Sequence, residues 1–230
     1  MPAGARGAVQ HAVTSWRMIT RDDPWVNLLR GTIATFAASV GGAEIITCLP
    51  FDSAWGLPDE FSRRMARNTQ LVASEESNLG RVSDPAGGAW FVESMTDQLA
   101  KKAWELVGTI EAAGGMAKAL ADGLVATQVA AVAAERAQRL ATRKQPITGV
   151  SMFPLAVEPA VEAKPRAAAP VRAGLVPVRD SAVFESLRDR VTAAGKPKVF
   201  LACLGARRDF GGREQFTSNL LLVGGFATPE

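Results

Sequence analysis

The chain has 230 residues, 47% of them hydrophobic, enough core material for one large domain or about one and a half ordinary ones. Its 26 basic and 23 acidic side chains leave a formal charge of +3, with no basic run to follow a phosphate backbone, so nucleic acid is not expected as a partner. No window nears the roughly 20 apolar residues of a membrane span, and Cys48 and Cys203, far apart in apolar runs, read as two buried thiols of a cytoplasmic protein rather than a disulfide.

Residues 1–13 carry no clear period, and Thr14 to Ile19 reads as a short strand. Pro24 marks a helix entrance. From Trp25 to Val40 the apolar residues Trp25, Leu28, Leu29, Ile33, Phe36 and Val40 keep a helical period that stops at Gly41-Gly42. Glu44 to Leu49 follows as an apolar strand. Helix, glycine stop and buried strand make an α/β repeat.

A second helix is expected from Pro58, where proline and the acids Asp59 and Glu60 suit the positive end. Successive helical residues turn by about 100°, which puts Phe61, Met65, Asn68, Val72 and Glu75 on one stripe. Polar groups on an apolar face cost on the order of 1–3 kcal/mol unless partnered, so Glu75 is expected to be buried beside Arg67 or Arg81. In Asp84-Pro85-Ala86-Gly87-Gly88, proline fixes φ, Asp84 can accept backbone bonds, and Gly87 and Gly88 allow positive φ or close approach. From spacing alone, a helix end and tight turn with satisfied polar groups accounts for this stretch better than a functional motif does, since buried polar groups are mostly structural.

Arg81-Val82 and Ala89 to Val92 read as short extended pieces, and Ser94 to Asp97 as a capping box. Met95, Leu99, Leu106 and Ile110 stripe a helix ending at Gly114-Gly115; Met116 to Asp122 and Leu124 to Arg143 read as two more. An extended segment, Gln145 to Val150, closes this first unit, residues 1–154. The stretch 155–180 is rich in alanine, proline and valine; Pro159, Pro165, Pro170 and Pro177 break any helix, giving a semi-extended linker. In 181–230, Phe184, Leu187 and Val191 stripe a helix, Val199 to Leu204 forms a strand apolar on both faces, and Phe216, Leu220 and Val223 stripe another helix. Such a strand belongs inside a parallel sheet. The expectation is therefore a partial chain, or one whose missing strands come from another subunit.

The loop Gly205 to Gly212 lies where open α/β sheets bind ligands. It matches neither the dinucleotide nor the P-loop pattern, so Gly205, Arg207, Arg208, Gly211 and Gly212 are weak cofactor-binding candidates. The alternative function is a stand-alone phosphate- or nucleotide-binding module using Arg207, Arg208 and Arg213 at a helix N-terminus. His11, the only histidine, has no second ligand beside it and is not read as a metal site. The five tryptophans read as core or interface anchors. Glu75 and Glu76 point in different directions on a helix, so they are no acid/base pair.

Arg67-Asn68-Thr69-Gln70, Glu75-Glu76-Ser77, Asp84-Pro85-Ala86-Gly87-Gly88, Val92-Glu93 and Gly114-Gly115-Met116, in that order, resemble the acyl-CoA mutase family. The resemblance implies the later part of a (β/α)8 TIM-type barrel over 1–154, the linker, and the start of a doubly wound, cobalamin-binding-like domain over 181–230. It implies adenosylcobalamin and an acyl-CoA substrate at the level of a complex, with Arg67, Asn68, Gln70, Glu75, Asp84, Gly87 and Gly88 as a structural motif.

Two departures limit what is carried over. Catalytic members follow the equivalent strand with Asp-x-His-x-x-Gly, whose histidine binds cobalt from below. Here Gly205-Ala206-Arg207-Arg208-Asp209-Phe210-Gly211-Gly212 stands in its place, and arginine does not lose its proton to become a ligand. Where catalytic chains carry a histidine- and glutamine-bearing strand end, this one has Ile45, Ile46 and Leu49, which cannot assist a developing oxyanion. No catalytic or metal-binding residue is assigned. The chain resembles the small, non-catalytic subunit of heterodimeric mutases, partner of a large catalytic subunit.

Overall fold

The computed structural model describes residues 8–159, 161–167 and 174–228; Met1 to Gly7 and the linker's Pro170 lie outside them. The described residues are mostly helical, with one two-stranded sheet, a mixed composition consistent with an α/β protein. Strand β1 (His11–Val13) pairs in parallel with β2 (Ile45–Thr47), Ala12 opposite Ile46. Parallel neighbours require a crossover, and helix α1 (Val26–Val40) lies between the two strands in the chain. The strand expected over Thr14 to Ile19 lies earlier. Ser15 Oγ accepts the Arg17 N–H at 3.3 Å and rolls Trp16–Met18 into a single 3-10 turn.

Helix α1 forms where its period placed it, yet its buried line is Asn27, Gly31 and Thr35, while Leu29, Ile33 and Phe36 are exposed. Close approach explains the reversal: a Cβ on Gly31 would sit 3.1 Å from Cys48 Sγ, just beyond β2. Helix α2 (Glu60–Leu71) starts at Asp59, whose Oδ1 accepts the Ser62 N–H at 2.7 Å. It packs against α1 and buries the small residues Ser62 and Ala66. The expected stripe is displaced by one residue, and Phe61 remains partly exposed at the edge of the Trp25–Phe51 stack.

Beyond Leu71 the backbone widens into a π turn, Val72–Glu76, where the Ser77 N–H bonds Val72 O at 2.9 Å. Glu75 is exposed there, not buried beside an arginine. Helix α3 (Trp90–Ala112) begins where an extended piece was expected and contains Ser94 to Asp97, so no capping box forms. Helices α4 (Met116–Ala121) and α5 (Leu124–Ala141) follow the glycine stops at Gly115 and Gly123. Gln145 to Val150 does not run on as a strand: the N–H groups of Val150, Ser151 and Met152 all converge on Ile147 O.

After the linker come α6 (Ala182–Ala193) and α7 (Arg207–Val223). Phe184, Val223 and Val150 form a buried cluster with Ile147 against it, so the last helices seat on the end of the first unit. The expected strand over Val199 to Leu204 is not formed; a single parallel bridge joins Lys198 to Ala227, and Phe200 and Leu204 are 79% and 87% exposed. An apolar run without sheet neighbours has no ladder to join. Among the described residues no helix is long and apolar enough to cross a membrane.

Candidate functional site

The contacts that span the chain most widely converge on one face of α6. Glu185, Arg188 and Asp189 are spaced three and four residues apart, which puts them together on a helix. Ser181, just ahead, and Phe184 share their side.

Opposite lies the loop before α1. Buried Pro24 fixes its exit, and Asp23 takes a left-handed φ of 44°. Gly149, itself at φ 79°, passes so near that a Cβ would lie 2.5 Å from Asp23 Oδ2.

Arg188 spends its donors on three other parts of the chain and a fourth behind it. Nη1 lies 2.6 Å from Asp22 Oδ2, Nη2 donates to Val150 O at 2.8 Å, and Nε donates to Val223 O at 3.2 Å. The same Nη1 stands 3.5 Å from Glu158 Oε1 in the linker. Asp22 and Arg188 are both nearly buried.

Glu185, 2% exposed, accepts from Arg179 at 2.5 and 2.7 Å, from Ser181 Oγ at 2.7 Å and from the Arg21 N–H at 2.7 Å. Burial pushes its carboxyl up, but the bonds from Arg179, Ser181 and Arg21 outweigh it and hold it below the usual range. Arg21 grips Asp189 with both terminal nitrogens at 2.7 and 2.9 Å, and that bond holds the Asp189 carboxyl low. Trp55 Nε1 donates to Arg21 O at 2.7 Å.

Glu158 is the exception. Burial raises its carboxyl, the Asp23 N–H at 3.0 Å only partly offsets this, and the charge of Asp22 adds to the rise. Its Oε1 has no hydrogen-bond partner. A cavity of about 500 Å³ opens alongside, bordered by Arg21, Trp55, Glu158, Arg188, Lys196 and Phe226. The arrangement pairs charges so as to seat one part of the chain on another.

A second polar centre supports it from within the first unit. Asn27 donates to Thr20 O and Phe51 O, each at 2.8 Å, and its Oδ1 accepts from the Thr20 N–H and from Arg30. Arg30 reaches on to Thr148 O at 2.6 Å. Burial lowers the pKa of the Arg30 guanidinium, which stays charged.

The motif expected from the sequence is elsewhere, around the entrance to α3. Asp84 takes φ 49° and accepts the Gly87 N–H on its carbonyl at 3.0 Å; a Cβ on Gly87 would lie 2.5 Å from Asp84 Oδ2. Gly88, at φ 78°, donates to Glu93 Oε1 at 3.0 Å, so the Val92-Glu93 element ties back to the turn. Asn68 O accepts the N–H of Val72 at the end of α2, Gln70 borders a small pocket with Thr35 and Glu44, and Arg67 is exposed. Gly205 sits at φ 96° in the turn before α7, but Arg207, Arg208, Gly211 and Gly212 belong to the helix rather than to a loop. The carboxylate of Asp209 occupies that helix start, accepting the Ala206 N–H at 3.2 Å with Arg208 Nε 3.6 Å away. His11 is on β1, its ring 2.8 Å from Thr47 Oγ1.

These local features can be set beside known proteins. The sequence model of the methylmalonyl-CoA mutase family matches residues 4–177, which contain the Arg67–Gln70 and Asp84–Gly88 elements. The chain belongs to the methylmalonyl-CoA mutase family. Among its mutase relatives, the methylmalonyl-CoA mutase small subunit of Propionibacterium freudenreichii subsp. shermanii is 58% identical over 98% of this chain and 36% of that protein. The small subunit of Streptomyces virginiae is 52% identical over 94% of this chain and 36% of that protein. Methylmalonyl-CoA mutase of Escherichia coli (strain K12) is 41% identical, but over 63% of this chain and 20% of that protein. The chain thus spans about a third of the length of the small subunits it matches.

Arg188, Glu185 and Asn27 are not among the residues that the motifs of the sequence single out. Arg188 follows Phe184 by four residues and precedes Val191 by three, so it shares the face that the apolar stripe marked as buried. Asn27 lies three residues before its partner Arg30 on α1, but Thr20 O and Phe51 O, to which it donates, are backbone groups that leave no signal.

Proposed function

We propose that this chain is part of the small, non-catalytic subunit of a methylmalonyl-CoA mutase, a cytoplasmic heterodimer with a large catalytic subunit. The complex would interconvert methylmalonyl-CoA and succinyl-CoA with adenosylcobalamin, which supplies the radical that starts the rearrangement. The observation that carries this reading is the extent of the match: small subunits align over nearly the whole chain, beyond the family model's limit at residue 177, whereas the Escherichia coli mutase aligns over 63%. Residues 1–154 are then the later part of a TIM-type barrel, with β1, α1 and β2 as one of its repeats, and 181–230 the start of a cobalamin-type domain.

The residues present do not fit the grip on cobalt. Arg207 and Arg208 lie exposed on α7 and carry no free nitrogen lone pair at neutral pH, so no step of the rearrangement is assigned to them. The chain's contribution is an interface. Trp90 and Trp104 on α3 are 91% and 77% exposed, and Leu29, Ile33 and Phe36 line α1 on its open side. Apolar patches of this kind mark surfaces that meet another protein.

The test is turnover with adenosylcobalamin by this chain, by a large mutase subunit, and by the two together. Activity that needs the large subunit, with none from this chain alone, is expected. Turnover by the isolated chain would overturn the proposal.

A further inference from the structure

The seat of α6 and α7 on the rest of the chain is unusual in its material. Its apolar part is small: Phe184, Val223 and Val150, with Ile147. Its polar part is large and ionised. Arg21 and Asp22 come from the loop before α1, Glu158 from the linker, Arg179 and Asp180 from just ahead of α6, and Glu185, Arg188 and Asp189 from α6 itself. Backbone links are few, the chief one running from the Asp180 N–H to Arg17 O at 3.0 Å, with Arg17 Nε 3.8 Å from the Asp180 carboxylate.

We infer that Glu185 is the charge-operated pin of this seat: while ionised it holds α6 and α7 on the loop before α1, and its protonation frees them as a unit before the α1–α2 unit unfolds. The pin joins both sides directly, taking the Arg21 N–H from one and the Arg179 guanidinium and Ser181 hydroxyl from the other. Arg21 also bonds Glu185 O at 3.3 Å, while Arg179 and Ser181 approach Ile19 O at 3.4 and 3.5 Å. One carboxylate therefore organises every donor in its shell.

Neutralising it turns two acceptor oxygens into one donor and one weaker acceptor. Arg179 is then left largely buried without its counter-charge, a situation far costlier than the intact pair was favourable. The charges that face Glu185 are Arg179 beside it and Arg21 opposite, with Asp189 sharing Arg21; the last is exposed and partly screened. Glu158 works the other way, since its neutral form relieves the crowding with Asp22. The release therefore belongs to the more acidic range, below the ordinary glutamate value, because Glu185 is held low. By contrast, the residues that α1 and α2 bury are Asn27, Gly31, Thr35, Ser62 and Ala66, none of which titrates.

The experiment is hydrogen exchange by mass spectrometry on the full chain, corrected for intrinsic rates, from neutral pH down to about pH 3, for the native protein and Glu185→Gln. In the native protein, exchange in α6 and α7 should rise at least tenfold at a pH where α1 and α2 are unchanged. Glu185→Gln should show that raised exchange already at neutral pH and lose the pH dependence. Simultaneous opening of all four helices in the native protein, or a variant with the native profile, would overturn the inference. If Glu185→Gln fails to fold, Ser181→Ala decides: removing one donor should move the α6–α7 opening to higher pH with α1 and α2 unmoved, and an unchanged midpoint would refute the pin.

Discussion

Arg188 and Asp22 face each other, Nη1 to Oδ2 at 2.6 Å, although 166 residues separate them in sequence. Both are nearly buried, and Arg188 also holds carbonyls of Val150 and Val223. Truncating one member of such a pair leaves the other charge without a partner, which costs about 3–5 kcal/mol. Arg188→Ala should therefore lower stability in urea by that order. Arg188→Lys should recover only part of the loss, because one ammonium cannot span Asp22 and two carbonyls at once.

Asn27 should be the costliest amide in the first unit. It satisfies Thr20, Phe51 and Arg30 together, and Asn27→Ala would leave several buried groups unpaired, at about 1–3 kcal/mol for each. Glu75→Gln, on the exposed π turn, should fall within about 0.5 kcal/mol of the native protein. Parallel urea titrations of the two variants check the contrast.

The helices α1, α2, α4, α5, α6 and α7 follow periods and glycine stops visible along the chain. The buried faces of α1 and α2 do not, because α1 meets Cys48 through Gly31 and α2 buries Ser62 and Ala66. Apolar periodicity marks which residues share a side, not which side is covered. Val199 to Leu204 forms no strand for a related reason: its apolar run is intact, but a strand exists only through its neighbours. Arg188 was legible in principle, lying on the Phe184 and Val191 face. The links from Glu185 to Arg21 and from Asn27 to Phe51 O were not, since backbone partners leave no trace in a side-chain pattern.

The turn before α3 gives a conformational prediction. Gly88 stands at φ 78°, where an L side chain costs roughly 1–2 kcal/mol. Gly88→Ala should lose about that much stability. Gly87→Ala should push the Asp84 carboxylate aside, its added Cβ lying 2.5 Å from Oδ2. In both variants amide exchange should quicken first in the opening turn of α3, where the Gly88–Glu93 bond is made.

The two thiols should separate cleanly. Burial pushes the Cys48 thiol up, only partly opposed by Thr35, whereas Cys203 is partly open on the run before α7. Alkylation near pH 8 should modify Cys203 first and reach Cys48 only with denaturant, as peptide mapping after timed quenching would record.

Linkage at Glu158 runs opposite to that at Glu185. Its carboxyl is raised, so its favourable contribution exists below the ordinary glutamate value, roughly pH 4, and is lost as pH rises through the raised one. At neutral pH Glu158→Gln should thus be at least as stable as the native protein, and the difference should shrink on mild acidification. Thermal melts between pH 7 and 4.5 measure it.

Mixing this chain with a large catalytic subunit, and following both co-elution and adenosylcobalamin-dependent turnover, asks whether it is a non-catalytic chain that works through a mutase partner. A stable complex with mutase activity is expected, weakened when Trp90 and Trp104 are changed to serine, with no activity from this chain by itself. Methylmalonyl-CoA conversion by the isolated chain, or its failure to bind the large subunit at all, would contradict it.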